Sequence, residues 1–395
     1  MKPLDGVRVV DLSRVLAGPY CSMLLADMGA EVIKIENPGK GDDTRGWGPP
    51  FIDGESAYYL SINRNKKSLT LNLKAGKGKE ILRGLIRRSD ILVENFRQGT
   101  MERLGFGYQA VRELNPRLIY CSISGFGRTG PMADRPGYDL IVQGEGGLMS
   151  ITGFPDGPPT KVGVAIGDLV AGMFAAQGIL LALLARERTG RGQLVDVALL
   201  DGQIAILTFQ AGIYFATGKA PARMGNQHPT IAPYETFRAR DGYVNIAVGN
   251  DPLWEAFCRA IGREDLLERP EFKTVALRVQ NRPALLQVLD EVMAARTTQE
   301  WLAILGKAGV PCGPINTVAE VCEDPQIRAR EMVLEVPHPT LGRVRLTGIP
   351  IKLSETPGAV EAPPPLLGQH TEEVLTQLLG YSRGQVETLR QEGIV

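Results

Sequence analysis

The sequence predicts an α/β protein of two domains, a large one on a doubly wound, mostly parallel sheet and a smaller α+β one. Three observations carry this. The 395 residues exceed what one ordinary core holds, so two domains are expected, one of them assembled from distant segments. The first 125 residues alternate strand-length apolar runs with helical patterns, the signature of a parallel sheet. After about residue 220 the pattern changes to a hairpin followed by helices.

In order along the chain, VRVVDLS, AEVIKIE, KSLTLNL, ILVENF and LIYCSIS are rich in β-branched residues and read as strands. KGKEILRGLIRR and MERLGFGYQAVRELN between them carry helical spacing. A glycine-rich stretch, 125–167, precedes an apolar helix that reads as a buried core element and ends at TGRGQ, with Gly190 as its terminating glycine. QLVDVALLDGQIAIL follows as strand then helix, and 201–224 as a linker. PYETFRARDGYVNIAVG predicts a hairpin turning at Arg240-Asp241-Gly242. PLWEAFCRAIG, PALLQVLDEVMAAR and EWLAILGKAG complete a small domain over 225–325. VRLTGIPIKLS returns to strand pattern, APPPLL is stiff and extended, and HTEEVLTQLLG and RGQVETLRQEG are helical.

Bulk properties exclude several functions. Lysine plus arginine and aspartate plus glutamate balance at 44 each, so no net field draws the protein to nucleic acid or an anionic membrane. The longest uncharged stretch, Leu169–Ala185, falls short of the roughly 20 residues that span a bilayer. MKPLDGVRVVDLS lacks the apolar core of a signal peptide. Scattered cysteines without a CxxC pair suggest reduced thiols and a cytoplasmic location. His228, His338 and His370 are too dispersed to suggest a metal site.

Four motifs bear on chemistry. GFGRTG, 125–130, matches a dinucleotide fingerprint, but Pro131 and MADRPG do not open the helix that would hold a pyrophosphate. Asp168 begins the apolar helix. It reads as an N-cap and, compatibly, as a carboxylate kept ionised for nucleophilic attack. INRNKKSLTLNLK offers Arg64, Lys66, Lys67 and Lys74 either as a solvated strand edge or as anion ligands. ENFRQGTMERLG adds Asn95, Phe96, Arg97 and Arg103 where a strand gives way to a helix, the edge at which open α/β sheets bind ligands. Tyr138 and Asp139, in RPGYDLIVQGEGG, begin a further helix.

These segments, with LDGVRVVDLSRVLAGP, GAEVIKIENPGKGDDTRGW, GVAIGDLVAG, GVPCGPINT and PPPLLGQHTEEVL in the same order, resemble the class III CoA-transferase family over nearly the whole chain. The resemblance implies a Rossmann-like large domain built from 1–200 and 330–395, and a homodimer whose chains interlock like linked rings. It implies acyl-CoA and carboxylic acid as substrates, with no permanently bound cofactor and the coenzyme A thioester itself a substrate. It assigns Asp168 as the nucleophile and Leu16, Ala17, Leu71, Asn72, Leu73, Lys74, Asn95, Phe96, Arg103 and Tyr138 to the CoA site. Asn37, Leu16 and Pro136 depart from the pattern of formyl-CoA transferase. The racemase branch has a histidine where this chain has Tyr138, which disfavours α-proton chemistry. A racemase or epimerase, a nicotinamide dehydrogenase and a non-catalytic CoA-binding scaffold remain as alternatives. The donor implied is succinyl-CoA or a similar diacid thioester. Arg14, in LSRVLAGP at the sheet's carboxyl edge, is the candidate for a distal carboxylate, with Asp139 beside the reacting group. The Ala17 amide and the loop 144–147 are candidates to stabilise an oxyanion.

Overall fold

A computed structural model describes residues 1–395. Six parallel strands form the main sheet: β1 (Arg8–Asp11), β2 (Glu31–Glu36), β3 (Lys66–Thr70), β4 (Ile91–Glu94), β5 (Ile119–Ser124) and β6 (Leu194–Ala198). Their order is β3-β2-β1-β4-β5-β6. In register, Val9 of β1 lies opposite Val32 on one side and Ile91 on the other. The chain therefore reverses direction across the sheet between β1 and β4, and the crevice beyond their carboxyl ends is where this topology binds ligands.

Both faces of the sheet are covered, which is why its strands are apolar on both sides. On one face α1 (Ala17–Asp27) and α4 (Ile166–Thr189) bury Cys21, Leu25, Ala175 and Ile179 against Val9, Val93 and Ile119. On the other, α2 (Gly76–Arg87) and the C-terminal helix Arg383–Gln391 bury Leu82, Leu85 and Val386 against Val10, Ile33 and Leu92. Each buried leucine, isoleucine or valine among them contributes about 1.5–3 kcal/mol of transfer free energy. Two shorter helices close the frame, α3 (Asp139–Glu145) before α4 and α5 (Leu199–Ile206) after β6.

The chain divides into two compact units. The first comprises 1–148, 161–212 and 325–395, and the second 149–160 and 213–324. In the first, the C-terminal segment covers the exposed edge of β3. Ser68 accepts from the His370 amide at 2.9 Å, the Thr70 amide donates to Thr371 Oγ1 at 3.2 Å, and the Asn72 amide donates to the Ile394 carbonyl at 2.7 Å. A covered edge cannot recruit another strand. The second unit holds a three-stranded antiparallel sheet centred on Tyr243–Ala247. Its core joins Phe237, Val244, Trp254, Leu285 and Trp301.

Several expectations are corrected. The stretch 201–224 is not a plain linker, because helices Leu199–Ile206 and Thr208–Thr217 occupy most of it. MERLGFGYQAVRELN forms two short helices, since Gly105 at φ 87° ends the first. Leu71–Lys74 lie beyond the end of β3, where the Lys74 amide donates to Asn72 Oδ1 in a turn. Helix α4 is buried on one face only; Met173, Phe174, Leu180, Leu181 and Leu184 are exposed on the other.

Candidate functional site

Two cavities open at the carboxyl ends of β1 and β4. One, of about 300 Å³, is bordered by Arg14, Val15, Ala17, Asn95, Tyr138 and Asp168, among others. The second, of about 410 Å³, is bordered by Leu71–Lys74, Asn37, Lys40 and Thr100. Arg14, Asp43 and Phe96 border both, so the two spaces are neighbours divided by three side chains. The second cavity's rim carries the exposed ammonium groups of Lys40 and Lys74.

Asp168 is not the N-cap of α4. Ala165 holds that position, and Asp168 is the third residue of the helix. The capping falls to Asp139, which reaches across from α3: its Oδ1 accepts the Gly167 amide at 2.8 Å and its Oδ2 accepts from Gln143 at 2.7 Å. Asp139 is thus committed to protein partners on both oxygens, and the Asp168 carboxylate is left without a hydrogen bond on the cleft wall. Nor is Asp168 held in the ordinary carboxylate range, as a helix N-terminus alone would suggest. Burial, and secondly the negative charge of Asp139, push it up to about 7. The Tyr58 hydroxyl, pushed up to about 12 by burial and then by the Asp168 charge, stays protonated beside it.

Close packing sets where Asp168 lies. A side chain at Gly172 would put its first carbon 2.7 Å from the Ala17 carbonyl oxygen. Glycine there lets α4 touch the first turn of α1 and brings Asp168 to the same cleft as Ala17.

The loop between β1 and α1 is strained. Val15 has φ +71°, rare for a β-branched residue and costing on the order of 1–3 kcal/mol. Asn95 clamps Arg14 from both sides, accepting its amide at 2.9 Å and donating to its carbonyl at 2.7 Å. The Arg14 guanidinium lies over the Phe96 ring and pairs with Asp43 at 3.0 Å, and Asp43 also meets Lys40 at 3.0 Å.

The cationic segment is a structural set of ion pairs, not an anion site. Arg64 is buried against Asp27 at 2.7 Å and Lys66 against Asp11 at 3.3 Å. Lys67 is shared between Glu31 and Glu373 at 2.9 and 2.8 Å. Only Lys74 of that group reaches a cavity. Leu16 is buried and borders neither space, and Arg103 donates to Thr100 Oγ1 outside both. The loop 144–147 does not border the Asp168 cleft, whereas Ala17 does. No helix follows the glycine run 125–130 until Asp139. Asp42, Asp43, Lys34 and Tyr58 escaped sequence reasoning. A lysine at the centre of EVIKIE, inside an otherwise apolar strand, was the available signal for a buried pair.

Residues 4–371 match the model of CoA-transferase family III. The chain belongs to that family. It is 44% identical over 395 residues to succinyl-CoA:glutarate CoA-transferase of Mus musculus, covering 100% of this chain and 91% of that protein. It is 45% identical over 387 residues to succinyl-CoA:mesaconate CoA-transferase of Haloarcula marismortui, covering 95% and 96%. A CAIB/BAIF family protein from Brucella suis superimposes with a TM-score of 0.85 at 44% identity, covering 95% of this chain and 99% of the other.

Proposed function

We propose that this family III member carries CoA from succinyl-CoA, or a similar diacid thioester, to a dicarboxylic acid through covalent intermediates on Asp168. The observation that carries the reading is a carboxylate with no hydrogen-bond partner, held on the wall of a cleft that adjoins a cavity rimmed by lysines. The larger cavity suits the nucleotide and phosphates of CoA, and the cleft its acyl end. The names of the mouse and Haloarcula relatives support dicarboxylic substrates.

In the proposed sequence Asp168 attacks the thioester carbonyl, and the C–S bond breaks to give a mixed anhydride and CoA thiolate. The thiolate attacks the aspartyl carbonyl, releasing the donor carboxylate and leaving an aspartyl-CoA thioester. The acceptor carboxylate attacks that thioester, and the expelled thiolate then attacks the acceptor's acyl carbon, regenerating Asp168. Thioester energy is conserved and no external activation is needed. In this reading the Ala17 amide, in the first turn of α1 and beside the cleft, donates to the developing oxyanion. Arg14 offers a planar fork to the distal carboxylate of a diacid.

The exposed apolar face of α4 supports a homodimer, since a helix apolar all round requires cover on every side. The experiment is transfer from succinyl-CoA to a panel of acids followed by mass spectrometry, with hydroxylamine to trap the acyl-enzyme on Asp168. Asp168→Asn and Asp168→Ala should lose transfer and trapping while remaining folded. Turnover by a folded Asp168→Ala protein would remove Asp168 from the mechanism.

A further inference from the structure

Beneath the strained loop lies a group of buried charges that the chemistry above does not use. Lys34, in the middle of β2, and Asp42 are both without solvent exposure in their side chains and pair at 2.8 Å. Each also holds the loop backbone. Lys34 Nζ donates to the Ser13 carbonyl at 3.0 Å, and Asp42 Oδ1 accepts the Val15 amide at 3.3 Å. Asp42 is anchored in turn by Thr44, whose amide and hydroxyl donate to the same oxygen at 2.9 and 2.8 Å. From the other side Asp11 accepts the Ser13 amide at 2.9 Å. With Asn95 holding Arg14, the peptide groups from Ser13 to Val15 are fixed by side chains of four separate segments.

A buried ion pair is a poor means of gaining stability, because an apolar pair of similar volume does as well or better. What it supplies is direction. Lys34 and Asp42 present one donor and one acceptor at fixed points, and these meet the carbonyl of Ser13 and the amide of Val15, on either side of Arg14. Val15, the residue they help hold at positive φ, borders the cleft itself, as do Arg14 before it and Ala17 beyond it.

We infer that the Lys34–Asp42 pair is a positioning device, which keeps the Ser13–Ala17 loop in its strained form so that Arg14 and the Ala17 amide face the Asp168 cleft. This rests on the reading of that cleft as the acyl site. Both border the larger cavity with side chains that have no solvent exposure, neither touches the reacting atoms, and both act through the loop.

The test compares Lys34→Met, Asp42→Leu and the double variant Lys34→Met/Asp42→Leu with the full-length wild type; leucine, unlike asparagine, keeps no oxygen for the Val15 amide. Either single change unbalances the buried charges around the loop and is expected to lower Tm. The double variant removes both charges and is expected to recover most of that Tm while the loop stays released. Hydrogen exchange of the Ser13–Ala17 amides should then quicken at least tenfold in the double variant with the rest of β1 and β2 unchanged. Its kcat/KM for succinyl-CoA should fall ten- to a hundredfold, mostly in kcat, because the thioester is misplaced and not lost. Unchanged exchange in the loop overturns the inference, as does full activity in a double variant whose loop has loosened. Asp168→Asn should leave loop exchange at the wild-type rate. A wild-type protein without transferase activity would defeat the functional reading instead, and loop exchange would still decide whether the pair holds the loop.

Discussion

In the proposed mechanism the ionisation of Asp168 sets the pH dependence of the first chemical step. Its carboxyl sits near pKa 7, raised from 3.8 by burial and then by Asp139. About half of the free enzyme is therefore reactive at pH 7 and about a tenth at pH 6. Since kcat/KM follows the free enzyme, it should climb about tenfold per unit below pH 6.5 and flatten above 8. Asp139→Asn removes the neighbouring charge but keeps an oxygen for the Gly167 amide. The interaction of two partly solvated carboxylates is worth roughly 1 kcal/mol, close to one pKa unit. The limb should therefore move down by about 0.5–1 unit, leaving the larger, burial-driven part of the shift in place. The plateau is expected to drop somewhat, because an asparagine amide would face the donor Nε2 of Gln143. The position of the limb is the readout, from kcat/KM for succinyl-CoA between pH 5 and 9. A flat profile, or a limb that stays in place or moves up, would refute the argument.

The same shift couples to stability. A carboxyl with a raised folded pKa favours the folded state fully below 3.8 and loses that advantage as pH rises to about 7. Three units correspond to at most ~4 kcal/mol, reduced here because the side chain still reaches solvent. Asp168→Asn cannot ionise, so its Tm relative to wild type should rise between pH 4 and pH 8.

Three further outcomes are expected. Arg14→Lys should raise KM for dicarboxylic acceptors, and Arg14→Ala more so, with monocarboxylates little affected; equal losses in steady-state assays would point to a CoA or structural role. Gly172→Ala should destabilise by about 1–3 kcal/mol in denaturant titration, because its Cβ meets the Ala17 carbonyl and α4 must shift; a neutral Gly172→Ala would mean that the contact does not set the position of Asp168. Mixing tagged and untagged protein under native conditions should give almost no heterodimer, and rapid exchange would exclude interlocked chains.

Much of this was legible in the sequence because its signals are local. Alternating apolar runs announced the parallel sheet, and Asp168, Asn95, Phe96, Ala17 and Tyr138 do share one cleft. The misreadings concern partners distant in sequence. Asp168 looked like a cap because Asp139, which supplies the cap, lies 28 residues before the Gly167 it holds. Arg64 and Lys66 could be read as a solvated edge or as anion ligands because nothing local reveals Asp27 and Asp11, 37 and 55 residues away. Helix α4 looked wholly buried because composition cannot say which face the sheet covers.

The C-terminal cover of β3 has a consequence for synthesis. Asn72, on the wall of the larger cavity, is tied to Ile394, and Ser68 and Thr70 are tied to residues about 300 positions later. The ribosome therefore releases the last parts of the first unit only after the second has been made. Pairings of such long range are slow to form, and until they do the edge of β3 stands open to other nascent chains. Removing Ile394 should loosen the cavity wall from a distance.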